Sequence, residues 1–256
     1  MIGPIKSAIE ARLVGKENNK MELEIKGFIE TSFLDWDGKI VSTLYVAGCN
    51  FRCPFCHNAG LIEKPQEYET ISLERIEKHL IKHRDFIDGI CLTGGEPCLH
   101  HDRGLIRFMK RIKANGFMIK LDSNGTRPEC LKNALNEKLV DYFAMDIKGP
   151  LDERYDRLTG VKTDLEKIKQ SIAIIMGSGV EYEFRTTVVP TLIDVADVKD
   201  IVGHIAGADK YVLQQFAPDH SWDESFRKIE PHPREKLEEM AEAAKKEISN
   251  VIIRGI

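Results

Sequence analysis

Cys49, Cys53 and Cys56 sit in the run Cys-Asn-Phe-Arg-Cys-Pro-Phe-Cys-His-Asn, directly after an apolar stretch. Three thiols so close along a chain can converge only on one metal object. Four would close a structural zinc site or fill every corner of a cubane. Three leave a [4Fe–4S] cluster with one iron open to another ligand, and chemistry can happen at an open iron. Zinc with His57 as the fourth ligand is the rival. His57 abuts Cys56, however, and adjacent residues rarely both reach one tetrahedral ion. No later Cys-x2-Cys or histidine pair completes such a site. A thioredoxin-like pair made of Cys53 and Cys56 leaves Cys49 unexplained.

Two further groups carry suitable chemistry. Gly94-Gly95-Glu96 follows a short apolar run and offers backbone groups and a carboxylate able to hold a ligand ammonium. Alone the triplet is weak, because most such runs are turns. Asp122-Ser123-Asn124 offers hydroxyl- or cation-binding oxygens, although Asx-rich turns also arise for structural reasons. Other polar residues have plainer explanations. His79 and His83 are four apart on an expected helix, but Lys78, Lys82 and Arg84 mark that face as solvated. Lys148 and Arg185 taken alone read as strand-end ion-pair residues, and Trp222 as packing. Cys91, Cys98 and Cys130 are scattered and read as small buried hydrophobes, Cys98 lying nearest the site.

The elements that must position these groups alternate. Apolar strands are expected over residues 40–47, 89–93, 117–122, 141–147, 181–189 and 210–216. Helices are expected over 72–86, 102–115, 128–136, 163–177, 194–207 and 231–246, with Ser72 as an N-cap and Arg75 leaving its capping box incomplete. A charged last helix reads as a solvated cover, followed by a short apolar end at 251–253. Six such units mean an α/β protein with a parallel sheet, either doubly wound or an incomplete barrel. In both, ligands bind at the strand C-terminal ends. The unusual polar groups fall there: Cys49–Asn58, Gly94–Glu96, Asp122–Asn124, Asp146 with Lys148, Arg185, and Gln214-Gln215.

Composition sets the bounds. The chain has 256 residues and a formal net charge of -4, which gives no case for nucleic acid or an acidic membrane as partner. It shows no membrane-length apolar run and no signal-peptide core, so a cytoplasmic setting is expected, in which six cysteines stay reduced. Residues 1–25 read as a lysine-rich extension with a weak stripe of Ile5, Ile9 and Leu13. Residues 26–256 read as the core domain.

The three-cysteine loop, with Phe55 before its last cysteine and Gly-Gly-Glu ending the next strand, resembles the radical S-adenosylmethionine (SAM) superfamily. The resemblance runs from about Gly27 to Pro218. Cys-Pro-Phe-Cys-His-Asn, Thr-Gly-Gly-Glu-Pro, Asp-Ser-Asn-Gly-Thr and Met-Asp-Ile-Lys are similar to the glycyl-radical activating enzymes. The lead-in from Ser32 to Ile40 and the run Leu213-Gln-Gln-Phe-Ala-Pro218 resemble most the short activating proteins of anaerobic ribonucleoside-triphosphate reductases. Pyruvate formate-lyase activases usually show Asp-Gly-Pro-Gly-Ile-Arg in the lead-in, where this chain has Asp37-Gly38-Lys39-Ile40.

The resemblance implies a partial (βα)6 TIM-type barrel with an N-terminal extension and a C-terminal cover. It implies a [4Fe–4S] cluster on Cys49, Cys53 and Cys56, with SAM chelating the fourth iron. Phe55, Cys56 and His57 would lie along the adenine. Gly94, Gly95 and Glu96 would receive the methionyl amino group. Asp122 and Ser123, beside Asn124, match positions that hold a monovalent cation in pyruvate formate-lyase activase. Asp146 and Lys148 match ribose and carboxylate contacts, and Arg185 a carboxylate or substrate contact. That activase has a histidine near the end of its sixth strand, where this chain shows Phe216. One electron from a low-potential donor such as ferredoxin or flavodoxin would split SAM to methionine and a 5′-deoxyadenosyl radical. The radical would then take hydrogen from a glycine of a partner, expected to be an anaerobic ribonucleotide reductase. The cofactors then carry the hard chemistry, consistent with the lack of a nucleophile–base triad. Competing readings are a radical SAM enzyme acting on a small molecule or peptide, a pyruvate formate-lyase-type activase, and a non-enzymatic zinc or electron-transfer module.

Overall fold

The computed structural model describes residues 23–256. The Ile5, Ile9 and Leu13 stripe and most of the expected extension lie outside the described residues. Leu23 and Ile25, at the end of that extension, are buried.

Eight strands form one sheet: β1 (Ile25–Ser32), β2 (Val41–Val46), β3 (Gly89–Gly94), β4 (Met118–Ser123), β5 (Tyr142–Asp146), β6 (Glu181–Val188), β7 (Tyr211–Gln215) and β8 (Val251–Arg254). They lie side by side in chain order. β1 is antiparallel to β2, and every later pair is parallel. A doubly wound sheet needs its strand order to reverse at a switch point. Here the order never reverses, so with crossovers of one hand the helices collect on one face and the sheet is a barrel wall. The six expected strands are β2 to β7. The structure adds one at each edge. β1 escapes a pattern search because most of its residues are partly buried or exposed. The 251–253 segment is not a loose end, since it pairs in register with β7.

The helices are α1 (Ala59–Glu63), α2 (Leu73–Lys82), α3 (Leu105–Ala114), α4 (Pro128–Asn136), α5 (Arg154–Thr159), α6 (Leu165–Met176), α7 (Val195–His204) and α8 (Arg234–Ala244). Ser72 caps α2 as expected, its hydroxyl accepting from Arg75 N at 3.2 Å. The helix expected over 102–115 starts later. Gly104 holds φ +108, a left-handed conformation that separates α3 from a 3-10 stretch at Pro97–Arg103. α8 is more than a solvated cover: Leu237, Met240, Ala241 and Ala244 are buried. Among the described residues no helix is long and apolar enough to cross a membrane.

The main core lies between the helices and one face of the sheet, with Leu44, Ile90, Leu121, Phe143, Phe184 and Leu213 from the strands. Burying each such side chain stabilises the fold by about 1.5–3 kcal/mol. A second, separate cluster occupies the other face: Trp36, Val41, Cys91, Tyr142 and Ala144. Its position explains the lead-in. Trp36 is 4% exposed and its ring centroid is 5.6 Å from that of Tyr142. Lys120 Nζ donates to the Asp35 carbonyl at 2.5 Å, and Lys210 Nζ lies 2.6 Å from Asp37. The segment before β2 therefore seals the N-terminal end of the barrel interior. Ligands have the other end.

Candidate functional site

The residues expected to hold a cluster and cofactor, from Cys49 to Arg185, all line one cavity of about 320 Å³. It opens at the C-terminal ends of β2 to β7. Most apolar strands are fixed by the core and turn polar at or just past their ends, while Arg185 of β6 points into the barrel from within its strand.

The thiol loop leaves β2 through Gly48, at φ +78. It is braced from three sides. Gly95 N donates to Val46 O at 2.9 Å and Glu96 N to Gly48 O at 2.8 Å. Arg52 N donates to Thr159 O at 2.7 Å, and Asp223 N to Pro54 O at 2.8 Å. Trp222 packs as expected, with the Arg52 guanidinium 5.7 Å from its ring centre. His57 Nε2 donates to Ala217 O at 2.7 Å.

Gly94 and Gly95 serve this bracing directly. A Cβ on Gly95 would stand 1.9 Å from Gly48 O, and one on Gly94 2.5 Å from Val46 N. Their smallness lets two backbones touch. That need exists before any ligand arrives.

Burial pushes the Cys49 thiol up to about 11 and the Cys53 thiol up to about 12, and it raises Cys56 as well. Lys148 is the cation that favours all three thiolates. All three cysteines are free. Among the described residues no three His, Cys, Asp or Glu side chains converge closely enough to hold a single ion. Three free thiols on one cavity wall are the donor set of a cluster that leaves one iron open. His57 is taken by a carbonyl, and no protein donor completes a fourth corner among the described residues.

Glu96 lines the cavity and is 1% exposed. Its oxygens accept from Asn124 N at 2.6 Å, Cys98 N at 2.9 Å and Ser123 Oγ at 3.0 Å. It ties the β3 loop to the β4 loop. Burial outweighs those donors and lifts its carboxyl from 4.5 to about 7. Asn124 Nδ2 reaches Asn50 Oδ1 at 2.9 Å, holding the β4 loop to the thiol loop.

Asp122 is surrounded by protein cations where the resemblance puts a monovalent ion. Lys120 Nζ is 3.2 Å away, Arg185 Nη1 3.1 Å away, and the Thr93 hydroxyl donates at 3.1 Å. Arg185 also holds Asp146, Nε to Oδ1 at 2.8 Å, and Lys148 Nζ lies 3.1 Å from Asp146 Oδ2. Burial raises the Asp146 carboxyl, but Arg185 and Lys148 reverse this and hold it well below the usual carboxylate range. The strand-end ion-pair reading of Lys148 and Arg185 thus describes their state in this structure.

Phe216 is buried and does not line the cavity, so the position matched to a histidine does not face the site. Gln214 and Gln215 line it instead. Thr93 and Asn58, from the quoted motifs, also line it, as does Thr187, which was not singled out in the sequence. Period-two alternation from Arg185 could have found Thr187, which shares its face of β6. The rings of His79 and His83 donate to the carbonyls of Glu30 and His79, each at 2.9 Å.

The Radical SAM superfamily model matches residues 43–206. A Methanocaldococcus jannaschii protein, named for a glycyl-radical enzyme activating role, is 35% identical over 243 residues, covering 92% of this chain and 98% of its own. The pyruvate formate-lyase-activating enzyme of Clostridium pasteurianum is 27% identical over 187 residues, 69% of this chain and 76% of that one. The crystal structure of a domain of pyruvate formate-lyase-activating enzyme from Bacteroides vulgatus superposes with a TM-score of 0.54 at 18% identity, over 65% of this chain and 99% of that one. That likeness concerns the fold alone.

Proposed function

The chain belongs to the radical SAM superfamily as an enzyme of the glycyl-radical-activating type, and on that footing we propose that it installs a glycyl radical on an anaerobic ribonucleotide reductase. Its cofactors are a [4Fe–4S] cluster and SAM. Together, when bound and reduced, they supply a 5′-deoxyadenosyl radical able to take hydrogen from a glycine Cα. The protein's part is to bind, orient and shield. Cys49, Cys53 and Cys56 would hold three irons of the cluster and leave the fourth open to SAM. The Gly94–Glu96 turn faces the methionyl ammonium, with Lys148 and Arg185 for its carboxylate. Asp146 faces the ribose, and Phe55 and His57 wall the adenine. Asp122, Ser123 and Asn124 match the positions for a monovalent cation, and the ammonium of Lys120 lies 3.2 Å from Asp122.

The observation that carries this reading is three free thiols on one cavity wall without a fourth protein donor. The choice of reductase rests on the lead-in and the Leu213–Pro218 run. The reading needs a low-potential donor, ferredoxin or flavodoxin, and an anaerobic cytoplasm. Anaerobic reconstitution tests it. A brown protein that makes 5′-deoxyadenosine with dithionite, and a glycyl signal in electron paramagnetic resonance on the co-incubated reductase, are expected. A colourless zinc protein refutes the cluster. A radical that forms on a pyruvate formate-lyase and not on the reductase refutes the partner.

A further inference from the structure

Most polar groups on the cavity wall are already spoken for. Asp122, Asp146, Lys148 and Arg185 bind one another, directly or in pairs. Glu96 takes three donors, Asn58 Nδ2 donates to Gly94 O at 2.8 Å, and Gln215 Nε2 to His232 O at 2.7 Å. Thr187 and Gln214 are different. Both line the cavity, both are half-buried, and among the described residues neither side chain has a hydrogen-bond partner. They are also partners in register across β6 and β7. Adjacent strands lie about 4.8 Å apart, so the hydroxyl and the carboxamide stand side by side on one face.

The pair carries no charge, while the ionic groups lie on β4, β5 and the earlier part of β6. A carboxamide offers one acceptor and two donors, and a hydroxyl offers both. Their complement is a neutral pair of an N–H and a C=O facing the same way, which one residue of extended main chain presents. The proposed substrate gives that match weight. Glycine has no side chain to recognise, so an enzyme that acts on a glycine Cα must hold it by the main chain. We propose that Gln214, with Thr187, grips the main-chain N–H and C=O of one extended residue in the substrate protein's glycine loop and so positions the Cα hydrogen. Gln214 Oε1 accepts the N–H, Nε2 donates to the C=O, and Thr187 Oγ1 completes the contact. These are positioning residues. The inference rests on the glycyl-radical-activating reading.

The test uses reconstituted holoenzyme and the glycyl-radical enzymes of the same genome, each produced with α-deuterated glycine. The variants are Gln214→Ala, Gln214→Asn and Thr187→Val. SAM affinity and dithionite-driven SAM cleavage without the partner are expected to stay within about twofold of the parent, which also shows that the variants fold. Deuterium transfer into 5′-deoxyadenosine is expected to fall by about ten- to a hundredfold in Gln214→Ala and about three- to tenfold in Thr187→Val, the range for one or two lost hydrogen bonds. The loss should appear largely as a raised KM for the partner, with Gln214→Asn partly restored. Parent-like transfer by all variants overturns the proposal. So does a SAM affinity that weakens in step with the loss, which would make the pair a cofactor contact. A parent enzyme that cleaves SAM but takes deuterium from none of these partners overturns the underlying reading instead.

Discussion

Replacing Gly95 with alanine tests whether the Gly-Gly turn exists to let two backbones meet. The added Cβ falls 1.9 Å from Gly48 O and 2.6 Å from Gly48 C, where real contacts do not fall below 3.0 Å. Both obstacles are main chain, so no side chain can swing aside. The β3 turn and the start of the thiol loop must part by about 1 Å. Two hydrogen bonds cross that gap, Gly95 N to Val46 O at 2.9 Å and Glu96 N to Gly48 O at 2.8 Å. Losing both, with buried groups left unpaired, costs about 3–5 kcal/mol. Cys49 is the next residue after Gly48, so its thiol moves with the loop. Gly95→Ala should therefore lower the urea midpoint and also the iron bound per chain after anaerobic reconstitution. Gly203→Ala is the control. Its Cβ meets nothing within 4 Å, and as a helical position it should gain about 0.5–1 kcal/mol with iron unchanged. A Gly95→Ala protein that melts and loads iron like the parent would refute the steric argument and return the glycine to a purely ligand-facing role.

Arg185→Met leaves Asp146 and Asp122 without their shared guanidinium, and breaking such a buried pair should cost about 3–5 kcal/mol in urea melts; an unchanged midpoint would mean that Lys148 and Lys120 suffice. Glu96 has a folded carboxyl raised from 4.5 to about 7, so its neutral form is favoured on folding. That contribution, about 3 kcal/mol from the size of the shift, is present below pH 4.5 and is lost as pH rises through 7. Glu96→Gln should flatten the parent's loss of stability between pH 4.5 and 7, and parallel parent and variant curves would contradict this. Trp36→Ala opens a cavity at the sealed end, costing about 3–5 kcal/mol while SAM affinity at the far end stays parent-like by calorimetry. A matching loss of SAM affinity would show that the two ends are coupled.

Much of the site is legible in one dimension because ligand spacing is a local property. Cys49, Cys53 and Cys56 announce a cluster through three residues of one loop. Apolar runs followed by polar residues announce which ends of which strands carry the site. The edge strands were less legible. β1 lacks a clean alternation, and β8 is only four residues long. Phe216 shares the parity of Gln214 but lies one residue past the end of β7, where strand alternation no longer sets its direction.

The sequence by itself therefore determined the chemistry: the thiol count, the open corner, and the parallel βα order that sends polar strand ends to one rim. Those follow from short-range spacing and from hydrophobic period, which need no partner. Tertiary structure alone decided what each polar group is free to do. Glu96 became a brace between loops, because donors from residues 98, 123 and 124 converge on it. Asp122 met its cations inside the barrel. The lead-in became a plug beneath the site, and Thr187 and Gln214 were left beside one another without a side-chain partner among the described residues. Each outcome depends on contacts between residues distant in the chain, and packing fixes those only when the sheet has assembled.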